Sequence, residues 1–308
     1  MTATASDPLA PARTPERPGP GPLSAASLRA LELSVGRRVD GLLAGDYRSA
    51  LAGVGSELWQ VRPYEAGDDV RRIEWNVTAR TGTPHVRVEL AERVLVTWLV
   101  LDASASMAFG TAERRKADVA EGVAVAIGYA ATRRGNRLGT VSFGTEPTVE
   151  RPRQGRRALL DTLHLLRDLP TAGAGSLGDA LELTDRVARQ RALVVVVSDF
   201  RGRIDWQPPL LRLAGRHAVL AVEVRDPREQ ELADVGELRL VDPETGRQLR
   251  VDTGDRRLRE RFAAAAADER RALVASLASA GVRHVAVSTE GDWLRPLAGF
   301  LRQGRRGR

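Results

Sequence analysis

The feature that most constrains the fold is a mostly apolar run without alternation, Val94–Leu101, that ends at Asp102. An apolar run of this length, rich in β-branched residues, is typical of a strand buried on both faces of a sheet. A second run of the same kind, Ala192–Val197, is followed by one serine and then Asp199. Ligands of open parallel sheets bind beyond the carboxyl ends of the strands. Two such strands side by side would therefore bring both aspartates to one site.

Helix and strand patterns alternate along the chain from Arg93 onward. An amphipathic helix pattern at 113–134 precedes a strand pattern at 137–143, and a further apolar run at 217–224 also ends in charged residues. Alternation of this kind is typical of a parallel sheet covered by helices on both faces. We therefore predict an α/β fold with a doubly wound, mostly parallel sheet.

Composition and pattern divide the chain into four parts. Residues 1–22, rich in Pro, Ala, Thr and Gly, are expected to form a disordered tail. Residues 23–92 combine a helix with a small β segment of short alternating strands, one of which contains Trp75. This part is too small to bury a core alone, so we expect it to pack on the domain after it. Residues 93–290 form that α/β domain, and residues 291–308 a last helix with a basic tail.

The bulk composition excludes several classes of protein. The chain has 308 residues, a formal net charge of +7 and no cysteine, so disulfides and thiolate metal sites are excluded. No apolar stretch reaches the roughly 18 residues of a membrane span, and the start lacks a signal pattern, which predicts a cytoplasmic protein without a membrane span. The positive charge is almost entirely arginine, with Lys116 the only lysine. Acidic residues are interspersed with it, which makes nucleic-acid binding an unfavoured interpretation.

The residues after the two apolar runs predict a metal site. Asp102, Ser104 and Ser106 supply only hard oxygen donors, which Mg²⁺ prefers. A loop that leaves a strand turns alternate side chains inward, so all three are expected to face one ion. Asp199 would add a second carboxylate, directly or through water, and Ser176, in a glycine-rich turn before a helix, a further hydroxyl. Mn²⁺ and Ca²⁺ are the alternative ions, and an open position would remain for a partner carboxylate.

Other interpretations of these residues stay open. Asp102 or Ser104 alone would be equally typical of a helix cap, and Asp179 is the alternative to Ser176 as the additional ligand. The metal interpretation gains support from Asp199, because two carboxylates at the ends of adjacent buried strands would share an uncompensated acidic spot. An ion pair between either carboxylate and an arginine would argue against it.

The segment from Asp102 to Ser106 resembles the metal-ion-dependent adhesion site of von Willebrand factor A domains. Together with Gly53–Leu58 and Val61–Arg80, it is similar to the bacterial family called domain of unknown function 58, and the resemblance covers roughly residues 25–290. It implies an A-domain fold and the metal ligands given above. Many members are encoded beside MoxR-type AAA+ ATPases, which implies a co-chaperone or metal-insertion role and no catalytic activity.

The chain departs from the A-domain pattern at one position. Alignment places Gly175 where the pattern has a loop threonine, and Ser176 stands one position away.

The resulting prediction is a non-catalytic, metal-dependent protein-interaction module. Its partner would be a MoxR-type AAA+ ATPase, or a client protein that offers an Asp or Glu to the ion. A metal-assisted hydrolase is the first alternative, and it requires a general base that the sequence does not place. An arginine-mediated nucleic-acid binder is the second, and it predicts strong salt dependence.

Overall fold

The computed structural model describes residues 19–21, 52–90, 96–110, 113–132, 136–144, 146–168, 175–241 and 246–303. Apart from residues 19–21, the expected N-terminal tail and the helix after it lie outside the described residues. The chain divides into two compact units, one formed by Arg37–Leu95 and the other by Met1–Gly36 together with Val96–Arg308.

The smaller unit contains a two-stranded antiparallel sheet and one short helix. Strand β1 (Ala52–Pro63) pairs with β2 (His85–Leu90), and helix α1 (Trp75–Thr81) lies between them in sequence. The guanidinium of Arg62 donates two hydrogen bonds, of 2.8 and 2.7 Å, to the Asp68 carboxylate. This pair ties the end of β1 to the turn after it.

The expectation of a short strand at Trp75 is wrong, because this residue begins helix α1. Local chemistry accounts for the helix. The Glu74 side chain caps its first turn, and Gly82, at φ 73°, ends it in the left-handed conformation that glycine adopts at low cost. The side chain of Trp75 is 69% exposed. Alternating apolar residues therefore do not mark a strand here, since capping residues on both sides favour a helical turn.

The strands of the larger unit are β3 (Val96–Asp102), β4 (Arg137–Phe143), β5 (Thr148–Gln154), β6 (Leu193–Ser198), β7 (Ala218–Arg225), β8 (Glu237–Val241), β9 (Gln248–Asp252) and β10 (Arg283–Ser288). Six of them form one sheet with the order β10-β7-β6-β3-β4-β5. All neighbouring pairs in it are parallel except β4 and β5. A separate antiparallel hairpin is formed by β8 and β9.

Helices cover both faces of this sheet, which confirms the predicted α/β fold. These helices are α2 (Lys116–Thr132), α3 (Gly155–Asp168), α4 (Leu177–Val187), α5 (Gln207–Arg216), α6 (Arg256–Ser279) and α7 (Leu294–Gln303). Helices α2, α3 and α7 lie on one face, and α4, α5 and α6 lie on the other. No helix within the described ranges has the combined length and apolar character that a membrane crossing requires.

Packing in the core explains why apolar and polar residues do not alternate along the two central strands, β3 and β6. Every residue of β3 and every residue of β6 is buried. Side chains of β3 such as Trp98 and Val100 pack with Leu181, Leu210 and Leu277 from the helices on one face. The intervening residues of β3 are equally buried because α2 covers the opposite face. A strand enclosed on both sides reads as a continuous apolar run.

Candidate metal centre

The carboxyl ends of β3 and β6 meet at the centre of the sheet. The two strands are parallel neighbours, with Thr97 beside Leu193 and Leu101 beside Val197. Strand β4, which follows β3 in the chain, lies on one side of β3. Strand β6 lies on the other side, and β7 follows it in the direction away from β3. This reversal of strand order creates the crevice in which open α/β sheets bind ligands. Asp102 closes β3 at this point, and Asp199 directly follows β6.

Asp102 is a buried carboxylate held by neutral donors. It is 5% exposed. Its Oδ1 accepts a 2.9 Å hydrogen bond from the Ser104 amide, and its Oδ2 accepts one of 2.5 Å from the Ser198 hydroxyl. Burial, followed by the negative charge of Asp199, raises the pKa of Asp102 to about 6. Within the described ranges no lysine or arginine forms an ion pair with it, so its charge lacks a direct counter-cation.

The two serines of the motif lie beside this carboxylate. Ser104 caps a 3-10 turn at Ala105–Ala108, and its hydroxyl oxygen is 3.1 Å from that of Ser106. The Ser106 hydroxyl also contributes to the lowering of the pKa of the Asp199 carboxyl. Adjacent ligands on an octahedral Mg²⁺, with bonds of roughly 2.0–2.1 Å, are about 3 Å apart. The spacing of the two hydroxyls therefore matches neighbouring positions on such an ion.

A close backbone approach fixes the loop that carries these serines. The Ala103 amide donates a 2.6 Å hydrogen bond to the Phe143 carbonyl at the end of β4. A Cβ atom at Gly144 would lie 2.5 Å from the Ala103 carbonyl oxygen. Only glycine at this position leaves room for the two backbone segments to pass so closely. The residues after β4 therefore support the loop that carries Ser104 and Ser106 from one side.

Asp199 is already paired with a cation, which the sequence analysis did not foresee. The Lys116 Nζ donates to Asp199 Oδ2 and to Glu229 Oε1, at 2.6 Å each. The Lys116 side chain is 0% exposed. Burial opposes both charged forms, but the ion pair prevails, so the pKa of Asp199 is lowered and that of Lys116 raised. The expectation that both aspartates form an uncompensated acidic spot is therefore wrong for Asp199 and holds only for Asp102.

A compositional signal for this pair was present in the sequence. The chain has 47 basic side chains, and Lys116 is the only lysine among them. It is the first residue of α2, close in sequence to the metal motif. An ammonium is a compact charge with three donors, which suits a fully enclosed position between two carboxylates better than the larger guanidinium of arginine. The single lysine of an arginine-rich chain thus indicates a position at which arginine cannot replace lysine.

The backbone beyond Asp199 is strained. Phe200 has a φ of 56°, in the left-handed region that non-glycine residues rarely adopt. This turn directs two amides back into the site. The Phe200 amide donates to the Ser198 hydroxyl, and the Arg201 amide donates to Asp199 Oδ1, at 3.0 Å each. The strain therefore places the Ser198 hydroxyl for its bond to Asp102 and restricts the Asp199 carboxylate.

Ser176 is not brought to this cluster by any described contact. Its hydroxyl caps α4 by accepting a 3.0 Å hydrogen bond from the Asp179 amide, and it donates one of 2.9 Å to Asp205 Oδ2. Its neighbour Gly175 donates to the Gly144 carbonyl, which keeps this loop near the carboxyl end of β4. The Ser176 hydroxyl thus serves the helix start, and its role as a metal ligand stays a prediction. The Asp179 side chain, the alternative ligand, belongs to an exposed residue.

The described residues contain no group of three or more His, Asp or Glu side chains suited to a metal ion. Any cation at the switch point would instead depend on hydroxyl oxygens next to a single unpaired carboxylate. Hydroxyl and carboxylate oxygens are hard donors that suit Mg²⁺, Mn²⁺ or Ca²⁺ rather than thiophilic metals.

Comparison with known proteins gives a family and several structural likenesses. Residues 60–272 match the sequence profile of a family described as protein of unknown function DUF58. An uncharacterized protein of Mycobacterium tuberculosis is 43% identical over 292 residues, which cover 93% of this chain and 91% of that protein. The conserved hypothetical protein BatB from Bacteroides thetaiotaomicron has a similar structure, with a TM-score of 0.44 and 13% identity, covering 69% of this chain and 100% of that one. For a von Willebrand factor type A protein from Catenulispora acidiphila the TM-score is 0.35 and the identity 18%, covering 56% and 43%.

Proposed function

The chain belongs to the DUF58 family of proteins of unknown function, and from that premise we propose that it is a non-catalytic protein-interaction module. In this proposal it holds a carboxylate of its partner through a divalent cation bound at the switch point of the sheet. The cation supplies a hard Lewis acid with a coordination position open to an Asp or Glu side chain. The protein's own residues hold the ion, shield it from one side and leave the other side accessible.

The observation that carries the proposal is the state of Asp102. This carboxylate is 5% exposed and accepts hydrogen bonds from an amide and a hydroxyl. Within the described residues no cationic side chain balances its charge. Buried charges in proteins are ordinarily paired or bound to a metal. A cation next to Asp102 would supply the missing counter-charge.

Four residues would share the work of holding the ion. Asp102, Ser104 and Ser106 would offer the oxygens that hold the ion, and the two serine hydroxyls lie 3.1 Å apart. Asp199 would act indirectly, because its Oδ2 is bound by Lys116 and its Oδ1 accepts from the Arg201 amide. One direct carboxylate and two hydroxyls predict modest affinity.

The surroundings of the site favour binding over hydrolysis. A metal-assisted hydrolase needs a group that can accept a proton from the attacking water. Glu229, the further carboxylate described next to the aspartates, is bound by Lys116, and its other oxygen accepts from the Asp226 amide at 3.2 Å. His284 is hydrogen-bonded to Glu223 at 2.8 Å. Both candidate bases are thus engaged, so we propose no catalytic step.

The partner in this proposal is a protein with an accessible acidic side chain. A MoxR-type AAA+ ATPase, or a client protein that it remodels, is the first candidate, on the strength of the family resemblance described above. Such a partnership would operate in the cytoplasm, where ATP is available. The exposed arginines around the site would favour an acidic segment, since Arg201 and Arg203 follow Asp199 on the same loop.

Calorimetric titration tests the metal site. MgCl₂ is titrated into EDTA-treated wild-type protein, into Asp102→Asn and into Asp161→Asn. We expect saturable binding by the wild type and the Asp161→Asn control, in which a helix aspartate outside the site is changed in the same way, and no binding by Asp102→Asn. Capture of a purified MoxR-type ATPase with Mg²⁺ and with EDTA then tests the docking role. Equal titrations of all three proteins would refute the metal site.

A further inference from the structure

We propose that Lys116 is a built-in competitor of the divalent cation, which lowers the affinity of the site for metal until the partner's carboxylate arrives. The proposal rests on the function proposed above and adds how that site is regulated. Its basis is the position of the only lysine of the chain, enclosed between Asp199 and Glu229 at the site itself.

The ammonium of Lys116 occupies the place of a structural counter-ion. Its side chain is 0% exposed, and its two carboxylate partners are each at 2.6 Å, with side-chain exposures of 2% and 10%. The Arg201 Nε lies 3.8 Å from Glu229 Oε1, so two cationic side chains, Lys116 and Arg201, balance the two carboxylates without any metal. Of the carboxylates at this site, Asp102 is the one for which the described residues provide no cationic partner. The protein can therefore keep the site folded in the absence of a divalent ion.

A divalent ion held by Asp102, Ser104 and Ser106 would lie close to this ammonium. The contact path is short, since Asp102 accepts a hydrogen bond from Ser198, and the next residue, Asp199, is bound by Lys116 at 2.6 Å. Like charges in a buried site repel strongly because little water screens them. Lys116 thus lowers the affinity for the cation, and a negatively charged partner group restores the balance. Cation and partner carboxylate should each increase the affinity for the other, by the same factor.

Glu229 provides the position towards which Lys116 can shift. Its Oε2 accepts from the Asp226 amide, which closes a capping box in the turn after β7. Its carbonyl oxygen accepts a 3.2 Å hydrogen bond from the Arg201 guanidinium. Glu229 is therefore anchored on two sides and keeps an oxygen directed at Lys116. When a cation attracts the Asp199 carboxylate, the Lys116 ammonium keeps its hydrogen bond to Glu229.

The test changes the competing charge without changing the net charge. Lys116→Met combined with Glu229→Gln removes one positive and one negative side chain from the same buried pair. We expect this double variant to bind Mg²⁺ roughly tenfold or more tightly than the wild type in calorimetric titration. Glu229→Gln alone, which leaves the ammonium to Asp199, should bind Mg²⁺ more weakly than the wild type. Thermal melting of each metal-free protein verifies that the variants are folded.

The matched control is Arg212→Met with Glu182→Gln, which removes an exposed ion pair of 3.1 Å between α5 and α4. It should bind Mg²⁺ like the wild type. The proposal is overturned if the Lys116 double variant binds no more tightly than the wild type while wild-type binding still depends on Asp102. That result would leave the metal site itself in place. Absence of Mg²⁺ binding in every protein would instead overturn the proposed function together with this inference.

A second measurement addresses the coupling to the partner. A soluble acetate or glutamate side-chain mimic is added at a fixed concentration during the Mg²⁺ titration. In the wild type we expect the carboxylate to increase the Mg²⁺ affinity several-fold, and in the double variant we expect a smaller increase. Equal increases in both proteins would contradict the role given to Lys116.

Discussion

Replacement of Asp102 by asparagine separates the two effects of this carboxylate, its cost to folding and its role in holding a cation. The asparagine oxygen can accept from the Ser104 amide, and its amide group can donate to the Ser198 hydroxyl, so both hydrogen bonds to this position are kept. The change removes only the charge. The variant therefore measures how much the buried, unpaired negative charge opposes folding.

The size of the effect is set by the pKa of Asp102. Burial and the neighbouring Asp199 raise this pKa from 3.8 to about 6. A group whose pKa is higher in the folded state stabilises the fold below its unfolded pKa and loses this effect as pH rises through the folded pKa. At 1.36 kcal/mol per pKa unit, ionised Asp102 costs on the order of 3 kcal/mol at pH 7.5. At pH 5, where it is mostly protonated when folded, the cost is about 1.6 kcal/mol.

The assay is urea unfolding of metal-free wild type and Asp102→Asn at pH 5 and pH 7.5. The difference in unfolding free energy should move in favour of the asparagine variant by about 1.4 kcal/mol between the two pH values. Saturating Mg²⁺ should then stabilise the wild type, by about 2.7 kcal/mol at one hundred times the dissociation constant, and leave the variant unchanged. The Asp161→Asn control should show neither effect. A difference that is the same at both pH values would refute the reasoning about a buried, uncompensated charge.

Three further substitutions test neighbouring features by equilibrium unfolding. Ser176→Ala should lose the α4 cap and about 1 kcal/mol of stability, with Mg²⁺ affinity unchanged; a large loss of affinity would restore this serine as a ligand. Lys116→Met alone should cost about 3–5 kcal/mol, because two buried carboxylates lose their cation, and partial rescue by Glu229→Gln would identify that cause. Gly122→Ala should cost about 1–3 kcal/mol, since its Cβ would lie 2.4 Å from the Trp293 ring; wild-type stability would contradict the packing of α2 against that ring.

The predicted fold could be derived because burial leaves a local record in the sequence. A strand covered on both faces is apolar at nearly every position, and β3 and β6 show this directly. Helix α2 was expected at 113–134 and lies at Lys116–Thr132, and β4 was expected at its observed bounds, Arg137–Phe143. By contrast, the edge strand β5 was not predicted. It is largely exposed and contains a proline, so it carries little of the apolar signal.

The sequence by itself determined the class of fold, the strand ends at which polar residues emerge, and the hard oxygen chemistry of Asp102 and its two serines. Only the tertiary structure decided which charges meet there. Lys116 is separated by 83 residues from Asp199 and by 113 from Glu229, yet all three come together at the end of the sheet. Local patterns record whether a position is buried, because burial selects for apolar side chains. They do not record which distant side chain supplies the opposite charge, since that depends on how the strands are ordered in the sheet.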